Sequence, residues 1–217
     1  MTIKVKISAI DSLEEANSVV SLGADILEII VETKPGVDPR SKSKEIARKI
    51  LDPLKGKVKT SILTDKIQTD ELLNLIDGLS FNYLFPIFDL ENNVMKKIKE
   101  KYPHIKIAPT IHVLDKSALD EVESLNQNPF VYLIHLDSRT KNKLGATGQT
   151  HDWSVSQHIV QLSKKPIILA GGLKPENVSE AIQMVKPWGV DTYSGVLNEK
   201  KALDINRVKQ FIQNAKH

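Results

Sequence analysis

Asp137 ends the apolar run FVYLIHLD, 130–137, and is followed by a basic stretch, a GATG turn and a new helical pattern that starts near 152. A carboxyl group held at a strand end, beside positive charge, is one way a chain sets an acid next to an anion site. Two other stretches point to the anion itself. LAGGLKPENV, 169–178, passes from a strand through Gly171 and Gly172 into a helical pattern, with Pro175 near its first turn, where a missing N–H costs nothing. DTYSGV, 191–196, ends a strand with Ser194 and Gly195. Glycines at such turns let a phosphate approach bare backbone N–H groups. The same glycines would also serve tight ligand-free turns, but their occurrence in a pair of loops favours phosphate. Acid/base work on a phosphorylated molecule then needs a second titratable group facing Asp137.

The composition leaves few choices for that group. There is no cysteine, which excludes disulfides, thiolate metal sites and a cysteine nucleophile. His112, in TIHV, and His135, two residues before Asp137, are the nearest histidines in the pattern. His112 is chemically suited to act as a base, because histidine titrates near neutrality; a hydrogen-bonded rim histidine is the plainer account. His135 shares the parity of Asp137 one layer deeper, which suits core packing or hydrogen bonding. No acidic cluster accompanies the two, so no metal is expected, and the absence of a dinucleotide fingerprint gives no sign of a cofactor. Arg139, Lys141 and Lys143 read first as a solvated loop and second as an attractor for a doubly charged phosphate.

The elements that must position these residues alternate along the whole chain of 217 residues. β-Branched runs at 3–8, 24–31, 57–63, 81–88, 105–111, 130–137, 166–172 and 189–195 read as strands. Helical spacing fills 12–22, 41–54, 68–77, 90–101, 115–125, 152–163, 174–185 and 203–215, with Ser12 and Glu15 as a capping box and Gly23 as a stop. Eight strand–helix units in this length predict a single (β/α)₈ TIM barrel over 1–217, with an open doubly wound sheet as the alternative. In a barrel, function gathers where strands end at the C-terminal face, and phosphate is frequently held by the loops after strands seven and eight. Ser8, Glu32, His112, Asp137, Gly171–Gly172 and Ser194–Gly195 all fall on that face. Parity also sets Glu28 of the second strand opposite Lys6 of the first, an ion pair inside the barrel.

The charged residues, 26% of the chain with a net charge of +3, are dispersed, which argues against a nucleic-acid partner. The N-terminus enters a strand pattern without an apolar leader, and no apolar run is long enough to cross a membrane, so a cytoplasmic protein with a phosphorylated small-molecule substrate is expected. A monomer or homodimer suits the size.

In this order and at these spacings the motifs resemble the phosphoribosylanthranilate isomerase family. VKISAIDSLEEANSVVSLGAD looks like its opening strand and helix, DPRS at 38–41 like its Ser-Pro-Arg loop, and LDS at 136–138 with GATG…DW at 145–153 like its Leu-Asp-Ser and Gly-Gly-Thr-Gly…Asp-Trp signature. LAGGLKPENV and GVDTYSGV are similar to its phosphate-binding strands. The resemblance implies an Amadori rearrangement of a phosphoribosyl-amine into a 1-amino-1-deoxy-ketose phosphate in tryptophan biosynthesis. It implies Asp137 as the acid, Arg40 as the grip on the anthranilate carboxylate, Asp191 within the site, and phosphate on Gly171, Gly172, Ser194 and Gly195. The family's base is a cysteine, and here Ser8 stands in its place, followed by Ala9 where the family has glycine. A serine hydroxyl is not ionised without a base of its own, and a lost general base typically removes ~10²–10⁴ in rate. Strand four ends in LFPIFDL where the family commonly has Gln-Leu-His-Gly, and Tyr193 replaces a common serine. A related sugar-phosphate isomerase or epimerase, or a silent barrel that binds a phosphorylated ligand, are the readings that compete with the isomerase.

Overall fold

The structure is a computed structural model that describes residues 2–113, 117–138 and 152–217. The strands are β1 (Lys4–Ile7), β2 (Ile26–Ile30), β3 (Lys59–Thr64), β4 (Tyr83–Pro86), β5 (Lys106–Ile107), β6 (Thr110–Val113), β7 (Ile134–Ser138), β8 (Ile167–Leu169) and β9 (Gly189–Thr192). The helices are α1 (Leu13–Ser21), α2 (Lys44–Leu51), α3 (Thr69–Ile76), α4 (Asn92–Lys101), α5 (Ala118–Gln127), α6 (Trp153–Leu162), α7 (Val178–Val185) and α8 (Ile205–Lys216). Every strand pairing is parallel, in the order β5-β4-β3-β2-β1-β9-β8-β7-β6.

The fifth expected strand arrives in two pieces, and the reason is Pro109. With no N–H to donate there, the chain pairs with β4 up to Ile107 and with β7 from Thr110 onward. The ring closes across this break: Tyr132 N–H donates to the Ile107 carbonyl at 2.9 Å and His135 N–H to the Pro109 carbonyl at 2.9 Å. The eight-stranded barrel expected from alternation is therefore the fold, with one strand divided. Pro175 is also placed differently from expectation. It lies in a turn where Lys174 N–H donates to Asn177 Oδ1 at 2.8 Å, and the helix begins only at Val178.

Two apolar cores hold the barrel. The outer one lies between strands and helices and takes the buried stripe of each helix, such as Val208, Phe211, Ile212 and Ala215 of α8 at helical spacing. β2 reads ILEII and is buried along its whole length, as a strand covered on both faces must be. The inner core is small: Ile26, Tyr83, Phe85, Ala108, Leu133 and Ile168 fill the middle of the barrel. Above this plug the inward residues turn polar. Side-chain caps fix the helix starts, with Ser12 Oγ accepting from Glu15 N–H at 3.1 Å and Asp204 Oδ1 from Asn206 and Arg207 N–H at 2.9 and 3.2 Å.

Candidate active site

Lys6 sits at the centre of the polar layer and is 1% exposed. An ammonium has three protons to give, and here each finds an acceptor: Ser8 Oγ at 2.7 Å, Asp191 Oδ2 at 2.7 Å and Glu28 Oε2 at 2.8 Å. Its Nζ also lies 4.5 Å from the centre of the Phe85 ring, the top of the apolar plug. The register makes the meeting possible, because β9 lies beside β1 with Lys6 opposite Asp191. The Lys6–Glu28 pair is thus where strand parity puts it. Burial opposes the Lys6 charge, but Asp191 and Glu28 outweigh burial and lift its pKa above the ordinary lysine value.

Asp191 gathers three donors. Ser8 Oγ–H donates to Oδ1 at 2.6 Å, Lys6 donates to Oδ2, and His135 Nε2 lies 3.0 Å from Oδ2. Burial alone would raise its pKa; the Lys6 ammonium and the His135 contact reverse the sign and hold it well below the usual carboxylate range. His135 has its other ring nitrogen 3.1 Å from Thr110 Oγ1 and packs edge-on against Phe85. Both ring nitrogens are thus engaged, and the imidazole bridges Thr110 and Asp191. Breaking any one of these buried charge contacts from one side costs about 3–5 kcal/mol, which ties the cluster together.

Asp137 lies one layer above His135 at the end of β7 and is partly open to the barrel mouth. Its Oδ1 accepts the Ser138 N–H at 2.8 Å. Burial, aided by the negative charge of Asp191, pushes its pKa up against the pull of His135, the Ser138 amide and Lys6. A carboxyl so placed keeps its proton to higher pH than a free aspartate does. In register it faces His112 of β6. The basic residues Arg139, Lys141 and Lys143 and the GATG turn lie outside the described residues.

The two glycine turns are packed against their surroundings and against each other. Gly171 has φ +84°, and a Cβ there would lie 2.1 Å from Ser138 Oγ and 2.4 Å from Ser138 N. Gly172 follows at φ +66°. A Cβ on Gly195 would lie 2.0 Å from the Leu173 carbonyl oxygen, to which Thr192 Oγ1 donates at 2.8 Å. Ser194 is exposed in a short 3₁₀ turn, Ser194–Val196, steadied by Arg207 Nε donating to the Gly195 carbonyl at 3.0 Å. Ser8, Asp137, Gly171–Gly172 and Ser194–Gly195 therefore stand at the ends of four neighbouring strands, β1, β7, β8 and β9.

Arg40 is placed differently from the rest. It is buried in the loop after β2, with Nη2 on Glu15 Oε2 at 2.5 Å and Nη1 on the Lys201 carbonyl at 3.3 Å. The same Glu15 oxygen accepts Asp11 N–H at 2.8 Å, so the cap residue of α1 also holds the arginine. Tyr193 donates to Asp38 Oδ1 at 3.3 Å, and burial with that neighbour pushes its phenol pKa far up. Sequence reading missed the Ser8–Asp191 contact and the grip of His135 on Asp191. The adjacency of the first and last strands in a closed barrel was the signal available for the first. Among the described residues no group of three or more His, Asp or Glu is arranged to hold a metal ion. Two surface cavities, one between α7 and α8 and one beside Lys34, Asp65 and Phe88, touch none of these residues.

Fold and site together define a (β/α)₈ barrel whose polar cluster opens at the C-terminal ends of its strands. The family described as N-(5'-phosphoribosyl)anthranilate isomerase matches residues 5–214. An N-(5'-phosphoribosyl)anthranilate isomerase of Methanosarcina acetivorans is 33% identical over 98% of this chain and 93% of its own. The isomerase structure from Thermotoga maritima superposes with a TM-score of 0.84 at 28% identity, covering 99% and 98% of the two chains. A further isomerase structure, in complex with reduced 1-(o-carboxyphenylamino)-1-deoxyribulose 5-phosphate, gives a TM-score of 0.81 at 27% identity over 99% and 98%. The chain belongs to the phosphoribosylanthranilate isomerase family.

Proposed function

We infer that the chain carries out the isomerisation for which its family is named, the Amadori rearrangement of N-(5'-phosphoribosyl)anthranilate in tryptophan biosynthesis. The family match along 5–214 carries this reading. The placement of Asp137 and both glycine turns at neighbouring strand ends supports it. Asp137, its pKa raised by burial, protonates the ribose ring oxygen as the ring opens. Gly171, Gly172, Ser194 and Gly195 receive the phosphate, and Asp191 lines the sugar site with Ser8. Arg40 takes the anthranilate carboxylate as a charge-assisted pair in exchange for Glu15. The closed Arg40–Glu15 pair favours, as a second reading, a phosphoribosyl-amine whose aglycone lacks a carboxylate. A doubly charged phosphate does not cross a membrane unaided, so we place the enzyme in the cytoplasm, as a monomer or homodimer; among the described residues no helix is long and apolar enough to span a membrane.

The test is growth without tryptophan in cells that lack the isomerase. The chain restores growth and Asp137→Asn abolishes it; failure to rescue at high expression overturns the reading. Purified protein gives the second measurement. The acid works only while protonated, so kcat/KM falls as pH rises through the Asp137 pKa, at a pH above the ordinary aspartate value of 3.8. That alkaline limb disappears in Asp137→Asn.

A further inference from the structure

We propose that Asp191 is the proton acceptor in this enzyme, reached through the Ser8 hydroxyl, so that a serine–carboxylate relay takes the place of the family's thiolate. This rests on the isomerase reading above. Ser8 Oγ lies 2.6 Å from Asp191 Oδ1 and donates to it, while Lys6 Nζ donates to Ser8 Oγ at 2.7 Å. The hydroxyl thus has a fixed direction: its proton points at a carboxylate and one lone pair is engaged by an ammonium. The remaining lone pair is the only one left to meet a proton from substrate.

The charge balance of the cluster makes it a place for that proton. The groups that face Asp191 are Lys6 of β1, Glu28 of β2 through Lys6, and His135 and Asp137 of β7; β8 presents Ile168 and β4 presents Phe85. Within the Lys6–Glu28–Asp191 trio, one buried ammonium stands against two buried carboxylates, a surplus of one negative charge. Uptake of one proton neutralises it. Lys6, already 2.8 Å from Glu28, keeps a full partner when Asp191 becomes an acid. The Lys6 contact lowers the basicity of Asp191 and favours its ionised form. The proton it must take is acidified in turn, because C2 of the ring-opened substrate lies next to a protonated imine.

The step balances. Asp137 gives its proton to the ring oxygen and the C–O bond opens to the iminium. The C2–H bond breaks, its proton forms a new bond to Ser8 Oγ, and the former Ser8 proton passes to Asp191 Oδ1. The C2–H electron pair becomes the C1–C2 double bond and the imine pair returns to nitrogen. The proton on Asp191 then returns through Ser8 to C1, and the C2 hydroxyl proton goes back to Asp137. The ketose is formed and both carboxyl groups regain their starting states.

The experiment is a double-mutant cycle with phosphoribosylanthranilate as substrate, crossing Asp191→Asn with Ser8→Cys. In the parent, Asp191→Asn lowers kcat/KM by about 10²–10⁴, the usual worth of a general base. In the Ser8→Cys background the thiolate takes the proton itself, and Asp191→Asn costs about tenfold or less. Ser8→Cys also brings a limb that rises toward the free-thiol pKa of about 8.5, which the parent lacks. An equal cost of Asp191→Asn in both backgrounds overturns the relay, because a residue that only binds sugar or steadies Lys6 would be missed equally in each. Ser8→Ala keeps the Lys6–Asp191 pair and guards against a folding failure: it also loses about 10² or more, and unchanged activity in it overturns the relay. A parent protein inactive on phosphoribosylanthranilate would overturn the functional reading itself, a result distinct from an active parent with an additive cycle.

Discussion

Ala9 stands where the family has glycine, and its backbone records the difference. It has φ +59°, in the left-handed region, where an L-residue with a Cβ costs roughly 1–2 kcal/mol. The conformation persists because both neighbours are fixed: Ser8 is held by Asp191, and Ile10 N–H donates to the Glu28 carbonyl at 2.8 Å. The strain thus lies directly behind the Ser8 hydroxyl. Replacement of a buried alanine by glycine ordinarily destabilises, since glycine has more freedom to lose, by about 0.4–1 kcal/mol. Here the relief of φ is larger, and Ala9→Gly is expected to raise stability by up to about 1 kcal/mol in urea unfolding. A lower unfolding midpoint would mean that the packing of the Ala9 methyl outweighs the strain. At this scale the sequence was legible where parity sufficed, as for Lys6 and Glu28 on adjacent strands. It was silent on the partner of Arg40, since nothing in a loop pattern shows that Glu15, already used as a cap, would also face a guanidinium.

Elements meet tightly where β7 and β8 hand over to their loops. Gly171 approaches Ser138 so closely that even a methyl group would overlap the Ser138 amide, and its positive φ adds a second barrier to any side chain. Asp137 is the residue before Ser138 and accepts that same amide, so the Gly171 turn and the carboxyl proposed as the acid share one backbone group. Gly171→Ala is therefore expected to act on both. Overpacking of this kind costs about 1–3 kcal/mol of stability, and the displaced amide shifts the Asp137 carboxyl. The measurable outcome is a lower Tm together with a fall in kcat and a rise in KM; a raised KM with unchanged kcat would show that the turn and the carboxyl are independent. Helices and strands were readable from period and β-branching, with Ser12 marking the start of the first helix; the caps Asp152 and Asp204 were not picked out. The division of the fifth strand was not, because the donor missing at Pro109 matters only once β4 and β7 flank it. The glycine pairs were visible as turns, but the Ser138 contact that explains Gly171 depends on the closed sheet.

The whole barrel depends on bringing the chain's first strand against its last, and Asp25 fastens that seam from below. Its carboxylate accepts Lys4 Nζ at 3.1 Å, Lys216 Nζ at 2.9 Å and Val5 N–H at 3.0 Å, so β1, the α1–β2 turn and the end of α8 meet at one side chain. Lys216 also donates to the Gly23 carbonyl at 2.6 Å. The two lysines are partly exposed, and pairs of that kind contribute little one by one, ~0–1 kcal/mol. The Val5 amide adds an ionic hydrogen bond that water does not share. Burial alone would raise the Asp25 pKa; the Lys216, Val5 and Lys4 contacts together lower it below its ordinary 3.8. A carboxyl with a depressed folded pKa stabilises above the unfolded value and loses that contribution as pH falls through the folded one. Asp191 has the same sign, so acid weakens the seam from inside the barrel and from beneath it at once. Asp25→Asn is expected to cost about 1–2 kcal/mol at pH 7, or roughly 2–8 °C of Tm for a chain of this size. Because the amide carries no charge to lose, the gap between variant and parent narrows below pH 4. Thermal melts at pH 7 and pH 3 decide it: a gap that stays constant with pH would mean that Asp25 acts by shape alone, and the ends of the barrel would then be held by α8 packing on its own.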